Sequence, residues 1–229
     1  MGFHRGPKIV TDSLRLYLDA ANPKSYPGTG TTVIDLSGNN NNGVLLNGLL
    51  ATNGVFILDG ANDVINLGIG NTFFPLYTFT LEIWVKSTGL GSGQSLGGIW
   101  GFTYGLRAFI NGNGTVTYGI NDNTGGGVGQ TYYTTNSNIF FNGEWNHLVI
   151  QNDGYTSYIY VNGLLDESGP AIWTGSTYWT TNTVNLGRDN NNSMYFLNGQ
   201  LALPKIYSRV LSAEEVLQNY NATKSRFNL

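Results

Sequence analysis

Asp35-Leu36-Ser37-Gly38-Asn39-Asn40-Asn41-Asn42-Gly43 runs straight into the apolar Val44-Leu45-Leu46, and Phe56-Ile57-Leu58-Asp59-Gly60-Ala61-Asn62-Asp63-Val64-Ile65 follows soon after. The first string is a polar turn. Asp and Ser hydrogen-bond to their own backbone, and Asn and Gly tolerate positive φ. The second string reads as a strand, a tight Asp-Gly turn and a second strand. A chain punctuated this way is built of strands.

The pattern extends outward in both directions. Leu14-Arg15-Leu16-Tyr17-Leu18 alternates, and so does Tyr77-Thr78-Phe79-Thr80-Leu81-Glu82-Ile83-Trp84-Val85-Lys86, with Tyr77, Phe79, Leu81, Ile83 and Val85 on one side. Asn111-Gly112-Asn113-Gly114 and Asn152-Asp153-Gly154 each sit between apolar runs and predict hairpins. Ser212-Ala213-Glu214-Glu215 fits a capping box and starts a helix whose apolar stripe is Val216, Leu217 and Tyr220. We expect that helix to close one end of a sandwich. Trp84 and Trp145, both in apolar strands, are assigned to the core, Trp145 as an anchor between the sheets.

Bulk properties set limits. A length of 229 residues suits one sandwich domain. Charged residues make up 11%, the net charge is -3, and neither nucleic acid nor an anionic membrane is implied as a partner. Aromatic residues at 13% argue against disorder. There are no cysteines, which mildly favours a cytosolically assembled or a bacterial or viral product. Met1 to Lys8 lacks the apolar segment of a signal peptide, and no apolar run reaches membrane-span length.

Six strings in order now carry a resemblance. To the two already quoted are added Glu144-Trp145-Asn146-His147-Leu148-Val149-Ile150, Tyr158-Ile159-Tyr160-Val161-Asn162-Gly163, Asn185-Leu186-Gly187-Arg188 with Phe196-Leu197-Asn198-Gly199-Gln200-Leu201, and Ile206-Tyr207-Ser208-Arg209-Val210-Leu211-Ser212-Ala213-Glu214-Glu215-Val216. Together they resemble the concanavalin A-like lectin/glucanase superfamily in its laminin-G-like branch, from about Leu14 to Tyr220. The resemblance implies an all-β, two-sheet antiparallel jelly-roll sandwich with one short C-terminal helix. The opening strings Gly6-Pro7-Lys8-Ile9-Val10-Thr11-Asp12 and Asn22-Pro23-Lys24-Ser25-Tyr26-Pro27-Gly28 are similar to lectin-like proteins among the structural proteins of tailed bacteriophages. The expected organisation is an N-terminal arm at 1–11, the jelly roll at 12–220 and a C-terminal tail at 221–229.

Such folds host cleavage, binding and structural roles, so the site must decide. Cleavage needs two carboxylates at a defined separation. Glu82 and Glu144 each stand alone, and Asp166-Glu167 are adjacent and point to opposite faces of a strand. No catalytic residue is assigned. His4 and His147 are the only histidines, and His147 reads as structural. Relatives often hold calcium near an Asp-Gly-x-x-Asp turn, matched by Asp59 and Asp63. The late acids of that site are replaced by Ala202 and Leu203, so calcium is at most a possible cofactor. Sugar binding uses aromatic faces beside amides. The candidates are Trp100, Tyr104, Trp173, Tyr178 and Trp179, the last three in a polar, Thr-rich segment.

These readings predict a non-enzymatic virion structural or decoration protein with a lectin-like fold. A carbohydrate-binding adhesin or receptor-binding module is the alternative, and a glycoside hydrolase or lyase comes last. The expected location is the virion, or otherwise outside the cell. The expected partners are other virion proteins, further copies of the chain as a homo-oligomer (a trimer by the phage resemblance) and cell-surface glycans. Phe227 is expected to anchor a terminal arm on a neighbouring subunit.

Overall fold

The computed structural model describes residues 7–69, 73, 78–87, 94–101, 104–121, 130–170, 183–188 and 195–229, with the backbone alone at 69, 94–101, 104–106, 120–121 and 130–132. In chain order the strands are β1 (Leu14–Tyr17), β2 (Thr32–Val33), β3 (Gly43–Leu46), β4 (Leu50–Thr52), β5 (Val55–Asp59) and β6 (Val64–Ile69). Then come β7 (Thr78–Ser87), β8 (Gln94–Gly101), β9 (Tyr104–Ile110), β10 (Val116–Asn121) and β11 (Gln130–Thr134). The last are β12 (Asn146–Asp153), β13 (Thr156–Val161), β14 (Leu164–Pro170), β15 (Thr183–Leu186) and β16 (Asn198–Tyr207), followed by helix α1 (Ala213–Thr223).

The strands form two antiparallel sheets. Sheet I has the order β14-β13-β12-β7-β16-β5-β4, with β1 also paired to β16. Sheet II has the order β11-β10-β9-β8-β15-β6-β3-β2. The chain crosses repeatedly between them, as a jelly-roll sandwich requires. The Asp59-to-Asp63 turn is one crossing, carrying β5 of sheet I into β6 of sheet II.

The core lies between the sheets, where each contributes alternate residues. Phe79, Ile83 and Val85 of β7 and Leu148 and Ile150 of β12 meet Ile65, Ala108, Ile110, Tyr118 and Val184 from sheet II. The alternation expected for β7 therefore holds over its described residues. Both predicted hairpins form. β9 turns into β10 with the Asn111 amide donating to the Thr115 carbonyl at 2.7 Å and Gly114 at φ +82°, and β12 turns into β13 at Gly154.

The asparagine-rich string has a structural task. Asp35 is buried, and its carboxylate accepts from the backbone amides of Tyr17 (2.9 Å), Ser37 (2.8 Å) and Asn41 (3.0 Å). The Asn39 and Asn41 side chains donate to the carbonyls of Leu14 and Arg15. This loop thus satisfies polar backbone beside β1 that no neighbouring strand reaches. At the far edge, the Asp166 carboxylate accepts from the amides of Asn136 and Ser137, and the Tyr133 hydroxyl donates to the Pro170 carbonyl. Those bonds tie β14 of sheet I to β11 of sheet II and the connection that follows it.

Two expectations are corrected here. The capping box at Ser212 is present, but α1 does not close an end of the sandwich. It lies across the outer face of sheet I, where Val216 packs with Val149, Tyr160 and Tyr207. Trp145 is not between the sheets either. It is half-buried on the same outer face, its ring 4.6 Å from that of Phe227.

Candidate functional site

The outer faces of the two sheets are furnished differently. On sheet I, α1 and the 3-10 turn at Lys224–Phe227 cover the centre. Phe227 is 8% exposed and stacks on Trp84 with ring centroids 4.3 Å apart. The Trp84 indole N–H donates to the Thr223 hydroxyl at 3.0 Å. The tail therefore folds back on its own sheet, which corrects the expectation that Phe227 anchors an arm on a neighbour. The helix runs to Thr223, past the boundary read at Tyr220. The segment around Val10 is pinned too: the Val10 amide donates to Asn219 Oδ1 at 2.7 Å, and the Val10 carbonyl accepts from the Tyr207 hydroxyl at 3.0 Å.

Beneath this cover sits a closed ionic cluster. Glu82, His147 and Lys205 are each almost fully buried. Lys205 Nζ donates to Glu82 Oε1 at 2.6 Å, His147 Nε2 lies 3.1 Å from the same oxygen, and Asn219 Nδ2 donates to Glu82 Oε2 at 2.6 Å. Burial pushes the Glu82 carboxyl up, but the Lys205 ammonium and then His147 outweigh it and hold it down to about 2. Burial lowers the His147 pKa, and contact with Glu82 only partly offsets this. The stable arrangement is an ionised Glu82 facing Lys205, with a neutral His147 donating through Nε2–H. The His147 ring is held between Trp84 and Tyr220, at centroid distances of 5.1 and 5.7 Å. Every polar group here faces protein, and the cluster holds the helix to the sheet.

Sheet II is different. Its strand register lines up Val44, Asn66, Asn185, Gly98, Arg107 and Gly119 as successive cross-strand partners. Direct partners share a face. Their chain neighbours Leu45, Ile65, Val184, Ala108 and Tyr118 all belong to the inter-sheet core, so the row looks outward. With strands roughly 4.8 Å apart, the row from Asn66 to Gly119 spans about 19 Å. Asn66 and Arg107 are half-buried, and Asn185 is 5% exposed. The Arg107 guanidinium lies over the Phe109 ring, 4.9 Å from its centroid. One step along the strands, the Thr117 and Thr134 hydroxyls are hydrogen-bonded to each other at 2.8 Å. Glycines inside strands often mark close approach of a ligand, and β8, β9 and β10 carry Gly97, Gly98, Gly101, Gly105 and Gly119. Register breaks beside the row, between Ser95 and Gly97 and between Thr183 and Asn185, bend the sheet here.

The predicted site residues fall in several places. Trp100 stands on β8 opposite Gly105, two residues from Gly98, and Tyr104 begins β9 opposite Gly101. Trp173, Tyr178 and Trp179 lie outside the described residues. Asp59 Oδ1 accepts from the amides of Ala61 (2.8 Å) and Asn62 (3.3 Å), and Asp63 Oδ2 from the amide of Asp59 (3.1 Å). The Ala61 amide leads the effects that lower the Asp59 pKa, whereas burial raises that of Asp63. Both carboxylates are engaged in turn hydrogen bonds. Among the described residues, no cluster of three or more His, Cys, Asp or Glu side chains could hold a metal ion. Ca2+ takes six to eight oxygens, so these side chains alone make a poor fit to it. Sequence reading passed over Arg107, Asn66 and Asn185. The available signal was the density of glycine within β8 to β10.

The fold recurs in receptor-binding domains of botulinum neurotoxin. The C/D mosaic domain superposes with a TM-score of 0.67 at 19% identity, covering 92% of this chain and 51% of that one. The serotype D binding domain gives 0.65 at 19% identity, covering 92% and 52%. The DC binding domain, in complex with rat synaptotagmin II, gives 0.68 at 16% identity, covering 93% and 52%. This chain spans about half the length of those domains, and at such identities the likeness is one of fold. No curated protein matches the sequence. A laminin-G-like family model matches residues 59–217, well over half of the chain, and the protein belongs to the concanavalin A-like lectin/glucanases superfamily.

Proposed function

We propose that the protein is a carbohydrate- or receptor-binding module that engages a glycan through the outer face of sheet II. The observation that carries this is the transverse row, in which two carboxamides and a guanidinium share a face with glycines at Gly98 and Gly119. Carboxamides donate and accept at once, as sugar hydroxyls require. The lectin-like family and the fold shared with receptor-binding domains agree with this reading. The affinity expected of one such face is millimolar to micromolar, about -4 to -8 kcal/mol.

The module binds without cleaving. In support, Glu82 is committed to Lys205, His147 and Asn219 beneath the helix, where no glycosidic bond can reach it. Calcium at Asp59 and Asp63 would then be a stabiliser of the turn at most, and a melting temperature unmoved by chelator argues against even that. The action belongs outside a cell. A place on a phage particle rests on the opening strings alone, and incorporation of tagged protein into virions tests it.

Saturation-transfer NMR against a panel of oligosaccharides tests the reading. The expected result is ligand signal that falls severalfold on Asn66→Ala and on Asn185→Ala. Binding unaffected by both, but abolished by alanine at Trp173, Tyr178 and Trp179, would move the site to that segment. Release of reducing ends from any panel member would overturn the non-enzymatic part.

A further inference from the structure

We propose that the cluster beneath α1 is the site of a self-made cross-link: an amide bond from Lys205 Nζ to Asn219 Cγ, formed with Glu82 as the proton carrier and with loss of ammonia. The inference is independent of the glycan reading. Glu82 stands on β7, Lys205 on β16 and Asn219 on α1, and all three are buried. One carboxylate touches both reacting nitrogens: Lys205 Nζ donates to Glu82 Oε1 and Asn219 Nδ2 to Glu82 Oε2, each at 2.6 Å. An ion pair uses only the first of these contacts. The second sets a carboxamide on the other oxygen of the same group. That group is thereby placed to take protons from a nucleophile and give them to a leaving nitrogen.

The carboxamide is held for attack. The Val10 amide donates to Asn219 Oδ1 at 2.7 Å, where negative charge gathers as a nucleophile adds to the carbonyl, and the Tyr207 hydroxyl accepts from Nδ2 at 3.0 Å. Lys205 ends a flexible stem, so only its tip has to swing from Oε1 towards Cγ. The contacts described are those of the reactants. One ammonium proton first passes along the Nζ–Oε1 bond, leaving a neutral amine and a neutral acid. The Nζ lone pair then bonds to Cγ, and the carbonyl π pair moves onto Oδ1. Nζ gives its second proton to the carboxyl group, and the carboxyl group gives one to Nδ2. The π pair returns, the Cγ–Nδ2 bond breaks with its electrons on nitrogen, and NH3 leaves. The proton still on Glu82 departs with it as ammonium, so nothing is oxidised or reduced. Burial keeps water from the intermediate. In a chain without cysteine the bond does the work of a disulfide, tying α1 to a central strand of sheet I.

Mass spectrometry of the full chain after denaturation tests this without any variant. The expected mass is that of the encoded chain less one ammonia. Trypsin should leave the chain uncut after Lys205 and yield a branched peptide, in which the stretch ending at Arg209 is joined to Val210–Lys224 through Lys205 and Asn219. Glu82→Gln keeps the shape of the side chain and removes the proton carrier. It should slow the loss of ammonia by at least about 100-fold. Lys205→Met should keep its full mass indefinitely. The wild-type readings stand even where a variant fails to fold. Aged wild-type protein at its full encoded mass, cut normally after Lys205, overturns the inference. So does an ammonia loss that maps to an Asn-Gly step as a cyclic imide and is reversed by mild alkali. A branched peptide that forms as fast in Glu82→Gln overturns the assignment of Glu82 as proton carrier.

Discussion

The two outer faces of this sandwich show how one architecture uses polar groups in opposite ways. On sheet I, the outward residues Thr80, Glu82, Trp84, His147, Lys205 and Tyr207 are buried under α1, the tail and the residues around Val10. Their hydrogen bonds end within the protein: Thr80 accepts from the Leu211 amide, and Asn219 bonds Glu82, Tyr207 and Val10 together. On sheet II, the outward row holds amides, a guanidinium and glycines. Polar groups covered by the protein's own chain hold the fold together, whereas the polar row of sheet II is the face proposed above for recognition. The position of charge in the sequence does not tell these apart, since Glu82 and Arg107 both stand on central strands.

The comparison is broken most severely by removing a buried charge partner. Lys205→Met leaves Glu82 without its cation and should cost about 3–5 kcal/mol. The double variant Glu82→Leu with Lys205→Met should regain most of that, because a buried pair is often replaceable by apolar residues. Urea midpoints of the three proteins check this. A single variant as stable as wild type would mean that water reaches the cluster and the face is not sealed.

Phe227→Ala should cost about 3 kcal/mol, since it leaves a cavity against Trp84. The molecular mass by light scattering should not change. Loss of an oligomer without loss of stability would restore Phe227 as an intersubunit anchor.

Acid should loosen the same face in two stages. His147 is kept neutral below its ordinary pKa of 6.5, so the unfolded chain takes up a proton that the fold refuses. Its share of stability is complete above that value and is lost as pH falls below it. Glu82, held down to about 2 against an ordinary 4.5, contributes fully above 4.5 and loses its share as pH falls towards 2. Melting temperatures should thus be level above about pH 7 and fall in both windows. His147→Gln should remove the upper stage. A midpoint that rises on acidification would refute the assignment.

Smaller effects sharpen the contrast. Trp145→Ala should cost about 1–2 kcal/mol, because the side chain is only half-buried and part of its apolar area already meets water. On sheet II, Asn66→Ala should cost no more than about 1 kcal/mol, the worth of its hydrogen bond to the Gly68 amide at 3.0 Å. Calorimetric unfolding orders the two. A large loss at Asn66 would make the row structural, like the face of sheet I.

Local physics carried much of this protein. Alternation in β7, the Asn-Gly and Asp-Gly turns and the Ser212 capping box are decided within a few residues by φ preference, period and side-chain reach, and they were legible in the string. The family was legible because its motifs recur in a set order. What the string could not decide was which face of a strand meets what. Period two separates Phe79 from Glu82 but does not reveal that residues far along the chain arrive at Glu82, Lys205 to neutralise it and Asn219 to donate a hydrogen bond. It placed Trp145 inside and gave Phe227 to a neighbouring subunit, because an apolar side chain reads the same whether the second sheet, a neighbour or the chain's own tail covers it. It passed over Arg107 for the same reason. The row Asn66–Asn185–Gly98–Arg107–Gly119 exists only through pairing of β6, β15, β8, β9 and β10, which are distant in sequence, and register between distant strands is set by tertiary packing.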